Sequence, residues 1–261
     1  MTLDRFASRP NPVISFISCE SLASDVEVRI AAPDIHVWSA GLDAAAPCLD
    51  RFHRWLDGAE RSRAIRFVQE RDRRRYILAH GTLRAVLSRY LGCRPDTLQF
   101  EREANGKPFL VVDDTRTRLA FSMTHSDDRM LIAVAREDPI GIDLEQIRPT
   151  VPVVKLAERF YRPAESARIR MLPREEQVVQ FYRYWVAKEA ALKGQGMGLS
   201  SLHDCEVCHS LPTQQTEVRI DTGSAAPAKW RVQWLACGTG WAGAVAFQGE
   251  GTVRVMSPDK T

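Results

Sequence analysis

The chain has 261 residues, with 36 Lys and Arg against 33 Asp and Glu, so its formal charge is +3. It is 44% hydrophobic and 26% charged, which are ordinary values for a globular protein. These figures exclude a disordered chain, a collagen-like fibre and a disulfide-stapled miniprotein. A charge of +3 is also too small to predict a nucleic-acid partner by itself.

The sequence shows no signal for export or membrane insertion. No stretch approaches the roughly 18 to 20 apolar residues that span a bilayer. The apolar core that a secretory signal needs is interrupted at the N-terminus by charged residues and prolines: Asp4, Arg5, Arg9, Pro10 and Pro12. We therefore expect a cytoplasmic protein with no membrane partner, whose residues 1–30 form an N-terminal lead-in.

The chain has six cysteines, which are too few for a disulfide framework at this length, so we expect reduced thiols. Cys205, Cys208 and His209 match the C-x-x-C-H pattern of c-type haem attachment. Such attachment needs an export signal, and a zinc site would need a second ligand pair, which the sequence lacks. We interpret Cys205 and Cys208 as ordinary thiols, buried or half-exposed.

Apolar periodicity predicts the elements in chain order. Alternation over residues 34–39 indicates a strand, and the spacing over 60–91 indicates a helix that ends at Gly92. One face of this helix carries Tyr76, His80, Leu83, Leu87 and Tyr90. Residues 105–108 form a predicted tight turn.

The remaining chain alternates short strands with helices. Apolar runs predict strands over 119–123, 130–135 and 140–144. The segment 153–170 has a helical pattern with a break at Pro163, a longer helix covers 174–193, and strands are predicted within 205–256. This order predicts an α+β protein with two halves, residues 31–138 and 139–261.

Two carboxylates share one face of the predicted strand at 140–144. If Ile142 and Leu144 point into the core, Asp143 and Glu145 lie on the opposite face, roughly 7 Å apart. Like charges at this distance repel unless a cation lies between them, and Mg²⁺ typically binds one or two carboxylates together with phosphate oxygens. The alternative is a solvated strand face.

A third carboxylate lies on the apolar face of the predicted helix 174–193. Glu189 follows Phe181 and Trp185 at spacings of four, so partial burial would raise its pKa, as a general base requires. Lys193 lies four residues further on and can reach the same anion. The alternative is a surface Glu–Lys pair that stabilises the helix by about 0.3 kcal/mol.

Other charged positions have both a functional and a structural interpretation. Residues 60–75 contain seven arginines, which suit phosphate binding or form a solvated helix face. Lys107-Pro108 follows a glycine turn, and His125 lies at a predicted strand end, where histidine is more often structural. No glycine-rich phosphate loop of the Walker or dinucleotide type is present.

Four segments, in order, resemble the successive motifs of the Sfp-type 4′-phosphopantetheinyl transferases (the Gsp/Sfp/HetI/AcpT superfamily). They are Asn105–Leu110, Phe121–Ser126, Gly141–Glu145 and Trp185–Lys193. The resemblance covers residues 60–200. It implies a monomer of two similar α+β halves in a pseudo-twofold arrangement, with the active site in the cleft between them.

The resemblance also implies an activity, that of a holo-[acyl-carrier-protein] synthase. Such enzymes transfer 4′-phosphopantetheine from coenzyme A to a serine of an apo acyl carrier protein or a peptidyl or aryl carrier domain, releasing adenosine 3′,5′-bisphosphate. Mg²⁺, or Mn²⁺ in its place, would be bound by Asp143, Glu145 and Glu189. Glu189 and Lys193 would be catalytic. Coenzyme A would contact Arg63, Arg75, Lys107, Pro108, Thr124, His125, Lys188 and Lys193.

Three positions depart from the family pattern. Thr124 replaces a common serine, Glu60 a usual basic residue, and Tyr76 a smaller hydroxyl residue. Two other functions compete with the transferase. One is a Mg²⁺-dependent phosphohydrolase or nuclease that uses the same three carboxylates, and the other is a nucleic-acid-binding protein that uses the arginines of 60–75. We expect no nucleic-acid partner, because this segment lacks interleaved aromatic residues for base stacking.

Overall fold

A computed structural model describes residues 10–208 and 215–258. The chain forms two compact units, each built from two stretches of sequence. Unit N comprises Ser15–Glu137 and Arg254–Thr261, and unit C comprises Met1–Ile14 and Asp138–Val253. Both units mix helices with sheets, which confirms the predicted α+β class.

Unit N contains three helices and seven strands before the chain leaves it. In chain order they are β1 (Ile17–Ser18), β2 (Asp34–Gly41), α1 (Ala46–Trp55), α2 (Gly58–Ile65), α3 (Glu70–Leu91), β3 (Gln99–Arg102), β4 (Pro108–Val112), β5 (Thr115–Arg116), β6 (Leu119–Ser126) and β7 (Arg129–Arg136). Short 3₁₀ turns cover Cys19–Leu22 and Pro95–Thr97.

The sheet of unit N has the order β1-β2-β7-β6, and β3-β4-β5 form a separate three-stranded sheet. Helix α3 is buried over most of its length from Tyr76 onward. It packs closely on α1, since a Cβ added at Gly81 would overlap the Phe52 ring. Gly92 ends α3 with φ of 60°, a left-handed conformation that glycine adopts without steric cost, so the predicted stop is confirmed.

The prediction of one helical stretch over 60–91 is wrong in one respect, because the structure has two helices there. Helix α2 ends at Ile65, and α3 begins only at Glu70. Between them, Gln69 has extended backbone angles, φ −90° and ψ 128°. The sequence does carry a signal for a separate α2: Asp57 and Glu60 form a reciprocal capping box at its start.

In its described residues from Asp138 onward, unit C contains three helices and five strands that lie wholly within it. They are β8 (Ile140–Gln146), α4 (Val153–Phe160), α5 (Pro163–Met171), α6 (Arg174–Gln195), β9 (Cys205–Cys208), β10 (Gln215–Ile220), β11 (Ala228–Leu235) and β12 (Trp241–Phe247). A 3₁₀ turn covers Leu199–Asp204. The last strand, β13 (Thr252–Val255), pairs with β2, and the boundary between the units falls within it.

The sheet of unit C has the order β8-β12-β11-β10-β9. The helix break predicted at Pro163 is confirmed, because Pro163 is the first residue of α5, where its missing N–H costs no helical hydrogen bond. The tail is made of strands, as predicted.

Helix α6 lies directly on strand β8, which fixes the side chains that the two elements present to each other. A Cβ added at Gly141 of β8 would overlap the carbonyl oxygen of Ala190 on α6. A Cβ at Gly194 would overlap the Trp230 ring on β11. Any larger residue at these positions would therefore push α6 away from the sheet.

All six cysteines are free thiols. Cys205 is buried and Cys208 half-buried, and burial raises the thiol pKa of Cys205 to about 12. Such a thiol is protonated at neutral pH and therefore a poor metal ligand. His209, the third member of the C-x-x-C-H pattern, lies outside the described residues. None of the helices in residues 10–208 and 215–258 is long and apolar enough to cross a bilayer.

Candidate active site

A partly buried ion pair joins β8 to α6 in unit C. Lys193 Nζ lies 2.6 Å from Asp143 Oδ1. The Asp143 side chain is only 3% exposed. The structure therefore excludes the solvated strand face as an interpretation of Asp143.

Glu189 lies one helical turn before Lys193 and is 8% exposed. Its Oε1 is buried and has no hydrogen-bond partner among the described residues. Burial and the negative charges of Asp143 and Glu145 together raise the pKa of this carboxyl to about 7, against the opposing effect of the Lys193 ammonium. The side chain thus combines the burial and the raised basicity that the sequence predicted for a general base.

Glu145 is half-buried two residues after Asp143 on β8. The cross-strand neighbours of these two carboxylates on β12 are small: Asp143 pairs with Ala244, and Glu145 with Ala242. Residues opposite each other in a sheet project to the same face, so the alanines leave space beside both acids.

Lys193 is held as a cation by this acidic surrounding. Burial alone lowers the pKa of its ammonium, but the charges of Asp143, Glu189 and Glu145 outweigh burial and raise it. Lys193 forms an ion pair with Asp143, and Glu189 is buried, so the interpretation of Glu189 and Lys193 as a simple surface pair does not describe this site.

The donor chemistry of this group suits a hard divalent cation. Asp143, Glu145 and Glu189 offer carboxylate oxygens, the ligands that Mg²⁺ prefers, and Glu189 Oε1 is a buried acceptor without a donor. Within residues 10–208 and 215–258, no three His, Cys, Asp or Glu side chains converge closely enough to enclose an ion. The Lys193 ammonium binds Asp143 Oδ1, so an ion would either share this carboxylate with Lys193 or displace the ammonium from it.

Lys188 lies in a different environment from the one that contact with coenzyme A requires. Its side chain is fully buried, and Nζ donates to Glu165 Oε2 at 2.5 Å and to the carbonyl oxygens of Leu202 and Cys205 at 3.3 and 3.0 Å. These bonds contradict the predicted contact of Lys188 with coenzyme A, because an ammonium whose three donors are all used by protein groups has none left for a ligand.

Glu165, which the sequence did not single out, completes this buried network. Its Oε1 accepts from Val207 N at 2.8 Å and its Oε2 from Arg162 N at 2.9 Å, besides the bond from Lys188. The network ties α5, α6 and β9 together on the side of α6 that carries Lys188. It therefore fixes the orientation of the helix from which Glu189 projects.

The basic residues proposed for phosphate lie in unit N and differ in their surroundings. Arg75 forms an ion pair with Asp127 at 2.9 Å and is 19% exposed. Arg63 is exposed, and its guanidinium lies 6.0 Å from the centre of the Tyr76 ring. Arg63 thus presents its charge to solvent, whereas Arg75 is partly neutralised by Asp127.

Glu60 has a structural role that explains its departure from the family pattern. Its carboxylate accepts from Asp57 N at 3.0 Å, bonds to His80 Nδ1 at 2.9 Å and pairs with Arg84 at 2.8 Å. Arg84 is completely buried, and its remaining donors reach Asp57 and the carbonyl oxygens of Pro95 and Leu98. A basic residue at position 60 would leave this guanidinium with one carboxylate fewer.

The other predicted contacts of coenzyme A lie on or next to two strands of unit N. Lys107 precedes Pro108, the first residue of β4, and burial lowers the pKa of its ammonium. Thr124 and His125 lie near the end of β6, opposite Leu131 and Met130 of β7. Thr124 is buried and His125 exposed, because neighbouring strand residues point to opposite faces.

Both units match family profiles. Residues 139–246 match the profile described as the 4′-phosphopantetheinyl transferase superfamily. Residues 45–137 match a profile described as 4′-phosphopantetheinyl transferase, N-terminal. The first match contains the Asp143, Glu145, Glu189 and Lys193 group, and the second contains Arg63, Arg75 and Lys107.

Individual relatives agree with these profiles. The 4′-phosphopantetheinyl transferase HetI of Nostoc sp. is 36% identical over 224 residues, which cover 86% of this chain and 92% of HetI. A putative 4′-phosphopantetheinyl transferase of Synechocystis sp. is 35% identical over 64% of this chain and 67% of its own length. The transferase Sfp of Bacillus subtilis is 29% identical over 68% and 81%. The resemblance carried by the four motifs is thereby confirmed, and the chain belongs to the 4′-phosphopantetheinyl transferase superfamily.

Proposed function

We propose that this enzyme transfers the 4′-phosphopantetheine group of coenzyme A to a serine hydroxyl of an apo acyl, peptidyl or aryl carrier protein, releasing adenosine 3′,5′-bisphosphate. One observation carries the proposal: Glu189, buried and with an unpartnered oxygen, lies beside the Asp143–Lys193 ion pair. The transfer asks mainly for charge neutralisation and positioning, which this group of residues supplies.

Asp143, Glu145 and Glu189 would hold Mg²⁺, with Mn²⁺ as an alternative. When bound, the ion neutralises charge on the pyrophosphate of coenzyme A. The proposal is supported by the oxygen donors of the three carboxylates and by the raised pKa of Glu189, which reflects its burial beside Asp143 and Glu145.

Glu189 and Lys193 would act on the reacting atoms themselves. Glu189 would accept the proton of the carrier serine. Its pKa of about 7 suits this role, because a general base is most efficient when its pKa lies near the working pH. Lys193, released from Asp143, would donate hydrogen bonds to the pyrophosphate oxygens and to the departing group. General-base help of this kind contributes about 10² to 10⁴ in rate.

In unit N, we propose that Arg63, Arg75, Lys107, Pro108, Thr124 and His125 bind the adenosine and the 3′-phosphate. The exposed guanidinium of Arg63 supports this role directly. Arg75 would bind phosphate only by sharing its guanidinium with Asp127 or by leaving it. Lys188 is not included, because its three donors are used within unit C.

The deciding experiment incubates the pure protein with coenzyme A, Mg²⁺ and apo carrier proteins from fatty-acid, polyketide and peptide synthesis, and weighs each carrier. A mass gain equal to one phosphopantetheine group is expected on at least one carrier. No gain on any of them would contradict the proposal. Calorimetry with coenzyme A separates the competing functions, since a phosphohydrolase, nuclease or nucleic-acid-binding protein predicts no binding.

We also propose that the enzyme acts as a cytoplasmic monomer without nucleic-acid or membrane partners. Size-exclusion chromatography with light scattering tests the monomer, and cell fractionation tests the compartment. A stable dimer at micromolar concentration would contradict the first expectation, and recovery with membranes would contradict the second.

A further inference from the structure

Three large apolar side chains are exposed within four residues of unit N. Ile65, the last residue of α2, is 73% exposed, Phe67 is 36% exposed and Val68 is 99% exposed. We call Ile65, Arg66, Phe67 and Val68 the 65–68 surface. Single exposed apolar residues are common, but a cluster of this kind is typical of an interaction site.

The backbone of the 65–68 surface is held in place. Arg66 N donates to Arg63 O at 3.1 Å, and Phe67 N donates to Ala64 O at 3.3 Å. Ala64 is buried, and the Phe67 ring packs on Tyr76 with 5.3 Å between ring centres. After Val68, the carbonyl oxygen of Gln69 accepts from Asp72 N at 3.1 Å. Because the segment is therefore anchored on both sides of Val68, its apolar side chains are displayed on a preformed surface, which lowers the entropic cost of binding.

The surroundings of this surface are basic. Arg61 and Arg66 are exposed, and neither forms an ion pair with any residue in the described part of the chain. The acidic residues nearest along the chain are already paired. Glu60 is bound by Arg84, Glu70 by Arg73 and Asp72 by Arg71. The surface therefore combines apolar contact area with uncompensated positive charge.

We propose, on the basis of the proposed function, that the 65–68 surface docks the apo carrier protein through a carrier helix that presents apolar side chains flanked by carboxylates. Ile65 and Val68 would supply the apolar contact, and Arg61 and Arg66 the charge complementarity. Arginine and apolar residues together are typical of protein interfaces. Complementary charge also accelerates encounter of the two proteins.

A membrane surface fits the same residues less well. Recognition of anionic lipid usually needs a cluster of four to eight basic residues, roughly. Of the seven arginines between 60 and 75, four are engaged with protein groups: Arg71, Arg73, Arg74 and Arg75. The remaining three and a few apolar side chains offer little area for insertion into lipid.

The test measures steady-state kinetics of two double variants with the apo carrier that the wild type modifies fastest. Ile65→Ser with Val68→Ser removes the apolar contact, and Arg61→Glu with Arg66→Glu reverses the charge. For each variant, KM for the carrier should rise about tenfold, the effect of losing one good interface contact. KM for coenzyme A and kcat at saturating carrier should stay within about twofold.

Matched controls change residues of the same kind elsewhere. Val26→Ser with Met171→Ser removes two exposed apolar side chains, which are 45% and 86% exposed. Arg94→Glu with Arg118→Glu makes the same change in net charge at two exposed sites. Neither control should raise the carrier KM. Thermal unfolding of all variants identifies any that fail to fold, and the remaining double variant then decides.

Each other outcome overturns the inference. An unchanged carrier KM in either folded variant, or a rise equalled by the controls, would contradict docking at the 65–68 surface while leaving the proposed function intact. Sedimentation with phosphatidylglycerol vesicles that only these variants lose, with the carrier KM unchanged, would assign the surface to lipid. No modification of any carrier by the wild type would overturn the proposed function and this inference together.

Discussion

Two glutamates, one in each unit, show opposite solutions to the burial of a carboxylate. The Glu60 side chain in unit N is 12% exposed, and Glu189 in unit C is 8% exposed. Burial favours the protonated form of both. Glu60 nevertheless has a lowered pKa, because His80, Arg84 and the Asp57 backbone N–H bind its oxygens. Glu189 has a pKa of about 7.

The difference lies in the donors that surround each carboxylate. Glu60 bonds to groups at the start of α2 and on α3, so its charge stabilises the fold. Glu189 faces two other acids and one lysine, and one of its oxygens has no donor among the described residues. At low exposure in both cases, the surrounding donors therefore distinguish a structural carboxylate from one that stays available for a ligand or a proton.

The largest expected effect removes the charge of Glu189. Glu189→Gln keeps the shape of the side chain but removes the base and one metal ligand, so kcat should fall by about 10² to 10⁴. Coenzyme A affinity should change little, because the binding residues are untouched. Rates come from the carrier mass assay and affinities from calorimetry. Turnover near that of the wild type would contradict the catalytic role of Glu189.

Lys188 lies in the same unit as Glu189 and is also buried, but all of its hydrogen-bond donors have partners. Lys188→Met should lower the free energy of unfolding by about 3 to 5 kcal/mol, because it leaves the Glu165 carboxylate buried without its cation. Urea denaturation measures this loss. Adding Glu165→Gln should recover part of it.

A coenzyme A titration of folded Lys188→Met separates the two interpretations of this lysine. We expect an unchanged dissociation constant, since no donor of Lys188 is free for a ligand. Loss of affinity without loss of stability would restore the original prediction that Lys188 contacts coenzyme A.

Glu60→Ala should destabilise unit N and leave catalysis in place. Arg84 would keep Asp57 and two carbonyl partners, so we expect a loss of about 3 kcal/mol, at the lower end for breaking a buried pair. Denaturation curves give the loss, with the exposed Glu101→Ala as control. A kcat that falls with stability unchanged would show that the two glutamates are not as different as their surroundings indicate.

The smallest effect is on the pH dependence of stability without metal. Glu189 has an ordinary pKa of 4.5 and a folded-state pKa of about 7, so the folded protein holds this proton more tightly than the unfolded chain. Stability should therefore fall as pH rises from about 4.5 to about 7, by roughly 3 kcal/mol at most. Unfolding in EDTA at several pH values measures it, and Glu189→Gln should flatten the dependence.

Glu60 provides the opposite sign in the same measurement. Its lowered pKa adds stability that is present above its ordinary pKa and is lost as pH falls through the folded-state value.

Mg²⁺ should raise the melting temperature of the wild type more than that of Glu189→Gln. Equal shifts in both proteins would contradict metal binding by Glu189.

Local spacing predicted the elements that carry the site. The apolar face of α6 placed Glu189 inside from its distances to Phe181 and Trp185, and the alternation in β8 placed Ile142 and Leu144 in the core. These predictions rest on periodicity within one element, which sequence records directly. The αL glycine that ends α3 was predictable for the same reason.

Partners from distant elements could not be predicted in this way. Lys188 and Glu165 are 23 residues apart on separate helices, and nothing in either local pattern indicates that they pair. The Glu60 network is an intermediate case. Its pairing with Arg84 is non-local, but Asp57 and Glu60 have the spacing of a capping box and could have been assigned a structural role from sequence.

The exchange of chain ends between the units has a consequence for synthesis. Strand β2 in unit N is complete at Gly41, but its neighbour β13 begins at Thr252. Met256 N then donates to Val37 O, and Arg254 pairs with Asp34. At ribosomal rates, roughly 10 to 40 s separate the two strands. During that interval the part of the β2 edge that β1 does not cover stays open. The first half of the protein to leave the ribosome is therefore the last to be finished and the longest exposed to wrong strand pairing.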